Sequence, residues 1–384
     1  MIKADIYFVG PLLYFACFTL IFLLSCTVNS ALAGQSQYDD EFSIFYSDIC
    51  PKPDNSYGTN QSCVLVRKGF FFPSDLAIGR DNNIYVLNPQ ESSVYHFSGN
   101  GTFLSKWGRP GSGDGEFRYP SGITTDGRGY VYVSDYANNE IQKFTSNGTF
   151  VTKWGSHGLA NGEFSSLMDV AADPSGNVFT VEMGEAAGAS RIQKFTSNGT
   201  FVTKWGSMCW INDIFYGKNG CTDPDGEGPL SLGDGQFNIA KGIAVDPSGF
   251  VYVVDQRNSR IQKFTNNGTF VTKWGSECGR LQLLFFVPGS ESCPSAKDDQ
   301  FMLPNGGIAA DSDGFVYVLD QNNNRIQKFN SNGTFVNKWD LSGGVGDLPV
   351  TGIPIEKSGV VVGSGGTIYT TFGNDRIQFF SQSK

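Results

Sequence analysis

Few side chains in this sequence are equipped for chemistry. It holds two histidines, His96 and His157, one inside the apolar run VYHF and the other in a glycine-rich junction. A zinc centre held by three histidines cannot be built from them. No G-x-S-x-G elbow, phosphate loop or spaced Ser/His/Asp set occurs. Carboxylates remain: 37 Asp and Glu stand against 28 Lys and Arg, a net charge of −9. That charge repels phosphate backbones and argues against a nucleic-acid partner. Of the eight cysteines, Cys17 and Cys26 lie in the apolar N-terminal stretch, and the others come as near neighbours, Cys50 with Cys63, Cys209 with Cys221 and Cys278 with Cys293. In an exported chain such pairs imply disulfides. Each would close a loop of about a dozen residues, worth roughly 3 kcal/mol in the chain-entropy description.

The elements that must position these residues are repeated. The stretch 242–275, GIAVDPSGFVYVVDQRNSRIQKFTNNGTFVTKWG, contains four short runs rich in β-branched and aromatic residues, separated by turn chemistry. Its Asn-Gly pair predicts a tight type I′ hairpin turn. Related copies follow one another along the chain, with Asn-Gly turns at Asn100, Asn147, Asn198, Asn267 and Asn332. Four-strand units repeating every 40–50 residues or so predict an all-β fold, a β-propeller of radially stacked blades. Blades are expected at 70–108, 117–155, 164–206, 237–275, 301–340 and 348–380, six in all. The last lacks a fourth strand, and the run 41–49, EFSIFYSDI, is expected to supply it and close the ring.

The pattern carried by Phe237, Gly242, Asp246, Gly249, Tyr252, Asp255, Asn258 and Arg260 to Phe264 resembles the NHL repeat over about residues 70–380. The resemblance implies a six-bladed propeller. NHL propellers serve as scaffolds, as ligand binders and, in some branches, as lyases, so it points to no single function. Lyases of this kind need a histidine-bound zinc, which two histidines do not provide. The ubiquitin-ligase role of some animal NHL proteins needs a RING or B-box array, and the sequence has none.

Departures from the repeat carry the candidate sites. The residue opening each inner strand reads as Gly122, Gly242, Gly307 and Gly352 in four blades, but as Asp75 and Asp169 in blades one and three. Two carboxylates at the channel mouth, with asparagines nearby, suit a hard cation such as calcium. Gluconolactonase-type propellers bind a divalent ion at a similar place, a purely architectural likeness. Solvated acids at a wet mouth are the plainer reading. Asp135, Glu182, Asp255 and Asp320 end second strands, and Arg191, Arg260 and Arg325 begin third strands, as if to brace the loop between. Blade two has Glu140 in place of the arginine.

Two junctions, 207–235 and 276–300, are long inserts, each with its own cysteine pair and an aromatic cluster. Trp210, Phe215, Tyr216, Phe285 and Phe286, with Arg257, Asn258 and Asn322 on the same face, are the candidate partner-binding surface for a protein or glycan. Small satellite cores are the alternative role for these aromatics. Asn100, Asn147, Asn198, Asn267 and Asn332 each head an N-G-T sequon, and Asn60 heads N-Q-S. In an exported chain these are glycan acceptors, although the hairpin turn alone would account for Asn-Gly. Residues 1–33 join a short charged start, an apolar run and Ala-Leu-Ala, the form of a secretory signal. An uncleaved anchor or a lipoprotein signal would equally place 34–384 outside the cytoplasm, and either would be the chain's link to a membrane.

Overall fold

The computed structural model describes residues 62–66, 73–183, 190–208, 233–277, 297–341, 358–371 and 376–380. They form six four-stranded antiparallel sheets. Blade one runs Asp75–Ile78, Ile84–Asn88, Ser93–Phe97 and Phe103–Trp107, in that order from the channel outwards. Blades two to five repeat this meander, starting at Pro120–Thr125, Leu167–Ala172, Ala240–Val245 and Ile308–Ala310.

The sixth blade joins two distant parts of the chain. Val360–Val362, Ile368–Thr371 and Arg376–Phe380 are its first three strands, and Ser62–Val66 pairs on the outer edge with Val64 opposite Gln378. The ring is thus closed by an N-terminal strand, as the repeat count requires. The strand in that place is Ser62–Val66 rather than 41–49, which lies outside the described residues. The reason is connectivity: eight residues separate Val66 from the inner strand at Asp75, comparable with the twelve between Trp107 and Pro120 and between Trp154 and Leu167 in the short junctions. A second correction concerns the start of this blade. Gly359, not Gly352, opens its inner strand, because Val360–Val362 is followed by the tight Gly363–Gly366 turn used in other blades, with Gly366 N donating to Gly363 O at 2.9 Å.

Burial follows from stacking. The second and third strands of blades one to five are buried along their whole length, since both faces pack on neighbouring blades. Outer strands such as Phe270–Trp274 alternate instead. Each core cluster is built between adjacent blades: Phe179, Val181 and Ile192 of blade three pack with Ile243, Val251 and Phe264 of blade four. Side chains of this kind are worth about 1.5–3 kcal/mol each on full burial.

The Asn-Gly turns are not type I′. In each, only the glycine has positive φ, from 85° at Gly101 to 90° at Gly333, and the asparagines do not. Gly148 N donates to Thr145 O and Thr145 N to Thr149 O, a three-residue loop ending in a G1 bulge. The glycine is required twice over. A Cβ on Gly148, Gly199, Gly268 or Gly333 would lie 2.5–2.6 Å from the tryptophan that ends the preceding blade, Trp107, Trp154, Trp205 or Trp274.

Candidate functional site

The face carrying the blade-to-blade junctions is built by one device used repeatedly. Where an outer strand ends, the chain pairs briefly, in parallel, with the phenylalanine that opens the next blade: Pro110 with Phe117, His157 with Phe164, Ser207–Met208 with Gln236–Phe237, and Ser276–Glu277 with Gln300–Phe301. In the first two junctions a short glycine-rich loop lies between the partners. In the other two, 209–232 and 278–296 leave and return to the same pairing, and these insert segments lie outside the described residues. With them lie Trp210, Phe215, Tyr216, Phe285 and Phe286, and also Cys50, Cys209, Cys221, Cys278 and Cys293. Cys63 falls in the strand Ser62–Val66, opposite Phe379.

The roots of both inserts are pinned from below. Arg260 Nε donates to Asp255 Oδ2 at 2.8 Å, while its Nη2 donates to the carbonyls of Gln236 at 2.8 Å and Gly233 at 3.3 Å. Gln262 donates to the same Gln236 carbonyl at 2.8 Å and accepts from Gly235 N at 2.9 Å. Blade five repeats the set: Arg325 binds Asp320 at 2.9 Å and the Gln300 and Lys297 carbonyls at 2.6 and 3.1 Å. Blade three has Arg191 on Glu182 at 2.9 Å. Burial pushes the carboxyls of Asp255, Glu182 and Asp320 up, with the arginines and neighbouring donors pulling against it. The acid–arginine pairs are therefore braces, as their spacing predicts.

In blade two Glu140 takes the arginine's place. Asp135 keeps its backbone donors, Arg118 N at 2.8 Å and Tyr119 N at 3.1 Å. Glu140 faces Lys153 Nζ at 3.4 Å and Gln142 Nε2 at 3.0 Å, and burial raises its carboxyl above the ordinary range. Asn258 and Asn322 also serve the fold. The first donates to Asp255 at 2.8 Å and the second to the Met302 carbonyl at 2.9 Å. Arg257 is exposed on this face.

Asp75 and Asp169 both line the channel, a cavity of about 200 Å³ walled by the inner strands of all six blades. Each carboxylate reaches across to a neighbouring blade. Asp75 Oδ2 accepts from Ile123 N of blade two at 3.0 Å, and Asp169 Oδ2 accepts from Ile243 N of blade four at 3.0 Å. Their other oxygens fill the space that glycines leave open on the opposite side. A Cβ on Gly359 would meet Asp75 Oδ1 at 2.3 Å, and one on Gly122 would meet Asp169 Oδ1 at 2.4 Å. So the placing of Asp75 beside Gly359 and of Asp169 beside Gly122 is a packing pattern, with each acid nested between a glycine on one side and a backbone N–H on the other. Among the described residues no three His, Cys, Asp or Glu side chains gather in a way that could hold a metal ion. His96 is buried in blade one, stacked on Tyr85 at 4.5 Å, and His157 lies in the junction after blade two, so the histidines are not brought together.

Two features of this face had no signal in the sequence. Ser166, Ile239 and Leu303 take positive φ (66°, 60° and 47°) just ahead of the inner strands of blades three, four and five. Such conformations cost non-glycine residues about 1–3 kcal/mol each. Lys241, though buried, bonds Asn305 of the next blade, which also bonds Gln256 and Gln321.

The profile of the NHL repeat matches residues 237–264 and 306–329, and that of a 6-bladed beta-propeller family matches 77–141. Protein brain tumor of Drosophila melanogaster is 29% identical over 113 residues, 29% of this chain and 9% of that protein. Peptidylglycine alpha-amidating monooxygenase of Rattus norvegicus is 32% identical over 132 residues, 31% of this chain and 12% of that protein. The chain thus spans about a tenth of the length of these relatives. A gluconolactonase from Xanthomonas campestris superposes with a TM-score of 0.53 at 11% identity, covering 85% of this chain and 91% of the other, a likeness of fold alone. From the repeats, the closed ring of six sheets and these matches together, the chain is a six-bladed β-propeller of the NHL-repeat type.

Proposed function

We propose that this propeller is an extracytoplasmic binding module that engages a protein partner through the face bearing the two inserts. The observation that supports this most is the construction of the insert roots. Arg260, Gln262 and Asp255, and their counterparts Arg325, Gln327 and Asp320, hold the points where 209–232 and 278–296 rejoin the scaffold. Loops mounted on a rigid frame are where recognition residues collect. The backbone strain at Ser166, Ile239 and Leu303 falls on the same face. A protein partner agrees with the kinship to NHL propellers, and a glycan or small ligand would have to use the same surface.

The rival reading is a divalent-metal-dependent hydrolase or lyase with Asp75 and Asp169 as ligands at the channel mouth. Their placement on one cavity favours it, while their hydrogen bonds to Ile123 N and Ile243 N favour a structural role.

The two are separated by crosslinking at the surface of the cell that makes the protein. The intact chain is compared with one in which 209–232 is replaced by the short blade-two junction, and with an Asp75→Asn/Asp169→Asn chain. The binding reading expects a crosslinked protein that the aspartate variant retains and the junction variant loses. Retention of the crosslink in the junction variant contradicts it.

A further inference from the structure

The five Asn-Gly-Thr turns between third and fourth strands are explained only in part by the fold. Their glycines are required by positive φ and by the tryptophan beneath. The asparagines are not, because they adopt ordinary backbone angles. An internal control exists in the same molecule. The turns between first and second strands have the same geometry, Gly129 N donating to Asp126 O, Gly176 N to Asp173 O, Gly249 N to Asp246 O and Gly314 N to Asp311 O, with glycine φ of 82–89°. There the residue before the glycine is Arg128, Ser175, Ser248 or Asp313, and the residue after it is Tyr130, Asn177, Phe250 or Phe315. The turn therefore demands neither Asn before the glycine nor Thr after it, yet all five outer turns have both.

The side chains are arranged consistently with another use. Asn100, Asn147, Asn198, Asn267 and Asn332 are all exposed. At Asn100 and Asn332 the Oδ1 accepts from the sequon threonine hydroxyl at 3.0 and 2.9 Å, and at Asn147 at 3.2 Å. This turns the carboxamide so that oxygen faces the chain and nitrogen faces away. Four residues beyond each asparagine an aliphatic side chain stands in the open: Leu104, Val151, Val202, Val271 and Val336, at 43–49% exposure. A single exposed aliphatic is ordinary, but five at one register form a row with no covering element among the described residues.

We infer that these five asparagines are N-glycan acceptors, so that one face of the propeller is sugared at its rim while the insert-bearing face stays bare. Antiparallel meanders put the turn between third and fourth strands opposite the junctions. The sugars would thus leave the proposed binding face free and lie beside the exposed aliphatic row. The donor class is an oligosaccharide carried on a polyisoprenyl diphosphate. The asparagine Nδ2 forms a bond to C1 of the first sugar as the C1–O bond to phosphate breaks. Nδ2 loses one proton, and the lipid diphosphate leaves with the bonding electron pair. The inference rests on export of the chain, part of the reading above, but not on the identity of any partner. The sixth sequon, Asn60, lies outside the described residues.

The test is translation of the full chain with endoplasmic-reticulum microsomes, followed by protease digestion, peptide N-glycosidase treatment and mapping of the asparagines converted to aspartate. A protease-protected chain modified at Asn100, Asn147, Asn198, Asn267 and Asn332 is expected, with Thr102→Ala, Thr149→Ala, Thr200→Ala, Thr269→Ala and Thr334→Ala each removing one mobility step while the turn glycine stays in place. A protected chain with these asparagines unmodified overturns the inference while leaving export intact. A chain that stays protease-sensitive overturns it through export itself.

Discussion

At the residue scale the molecule spends its buried charge on holding blades and loops together. Asp75 is the test of that view. Asp75→Ala would leave Ile123 N without its acceptor at a buried position, a loss of about 1–3 kcal/mol in denaturant unfolding. Asp75→Asn keeps a carbonyl oxygen in the same place and is expected to lose much less. Glu140 gives a pH signature. Burial raises its carboxyl in the folded state, so the favourable protonated form is fully present below the ordinary glutamate range and is lost as pH rises through the raised value. Glu140→Gln should therefore match the parent near pH 4 and exceed it in melting temperature near pH 7. A gap that narrows with rising pH would contradict this. That Asp75 and Asp169 depart from glycine was legible in the sequence. That each acid fills its neighbour's missing Cβ was not, because the contact joins residues about 45 or more apart whose register only the closed ring fixes.

At the element scale the hairpins separate two costs of losing a glycine. Gly129 and Gly148 have nearly equal φ, 89° and 88°, but a Cβ on Gly129 meets nothing within 4 Å while one on Gly148 meets Trp107 at 2.5 Å. Gly129→Ala should cost about 1–2 kcal/mol from conformation alone. Gly148→Ala should cost more, because the tryptophan must also shift. Thermal unfolding of the two variants side by side reads the difference directly. Equal losses would mean that the tryptophan under the turn yields freely. The dipeptide Asn-Gly discloses that a hairpin turn is there, but its type depends on a bulge, which shifts the loop from two residues to three. Strand positions within the repeats were legible because both faces of the inner blades are buried and the turns between them are short.

At the scale of the whole molecule, stability depends on closing the ring with Ser62–Val66 against Arg376–Phe380. The repeat count calls for such a strand and places it at 41–49, whereas the pairing puts Ser62–Val66 there, a short path from Asp75 that the repeat pattern alone does not reveal. A chain beginning at 67, compared with one beginning at 34, should lose roughly 1 kcal/mol per ladder hydrogen bond. It should also self-associate through the edge left open, seen by sedimentation. If the shorter chain melts at the same temperature and stays monomeric, the closure is not where the pairing puts it.

The same frame bears on the proposed function: channel acids engaged as interblade contacts favour the insert-bearing face as the proposed binding surface over a site at the channel mouth. The most direct measurement is a calcium titration of the purified protein, followed by thermal unfolding, beside the Asp75→Asn/Asp169→Asn variant. Binding at the channel mouth would raise stability by about 2.7 kcal/mol at a hundredfold excess over the dissociation constant. The account predicts no saturable rise that depends on these two aspartates, and a variant whose melting temperature sits at the same offset from the parent at every calcium concentration. A saturable rise in the parent that the variant lacks would contradict it and place a cation between Asp75 and Asp169.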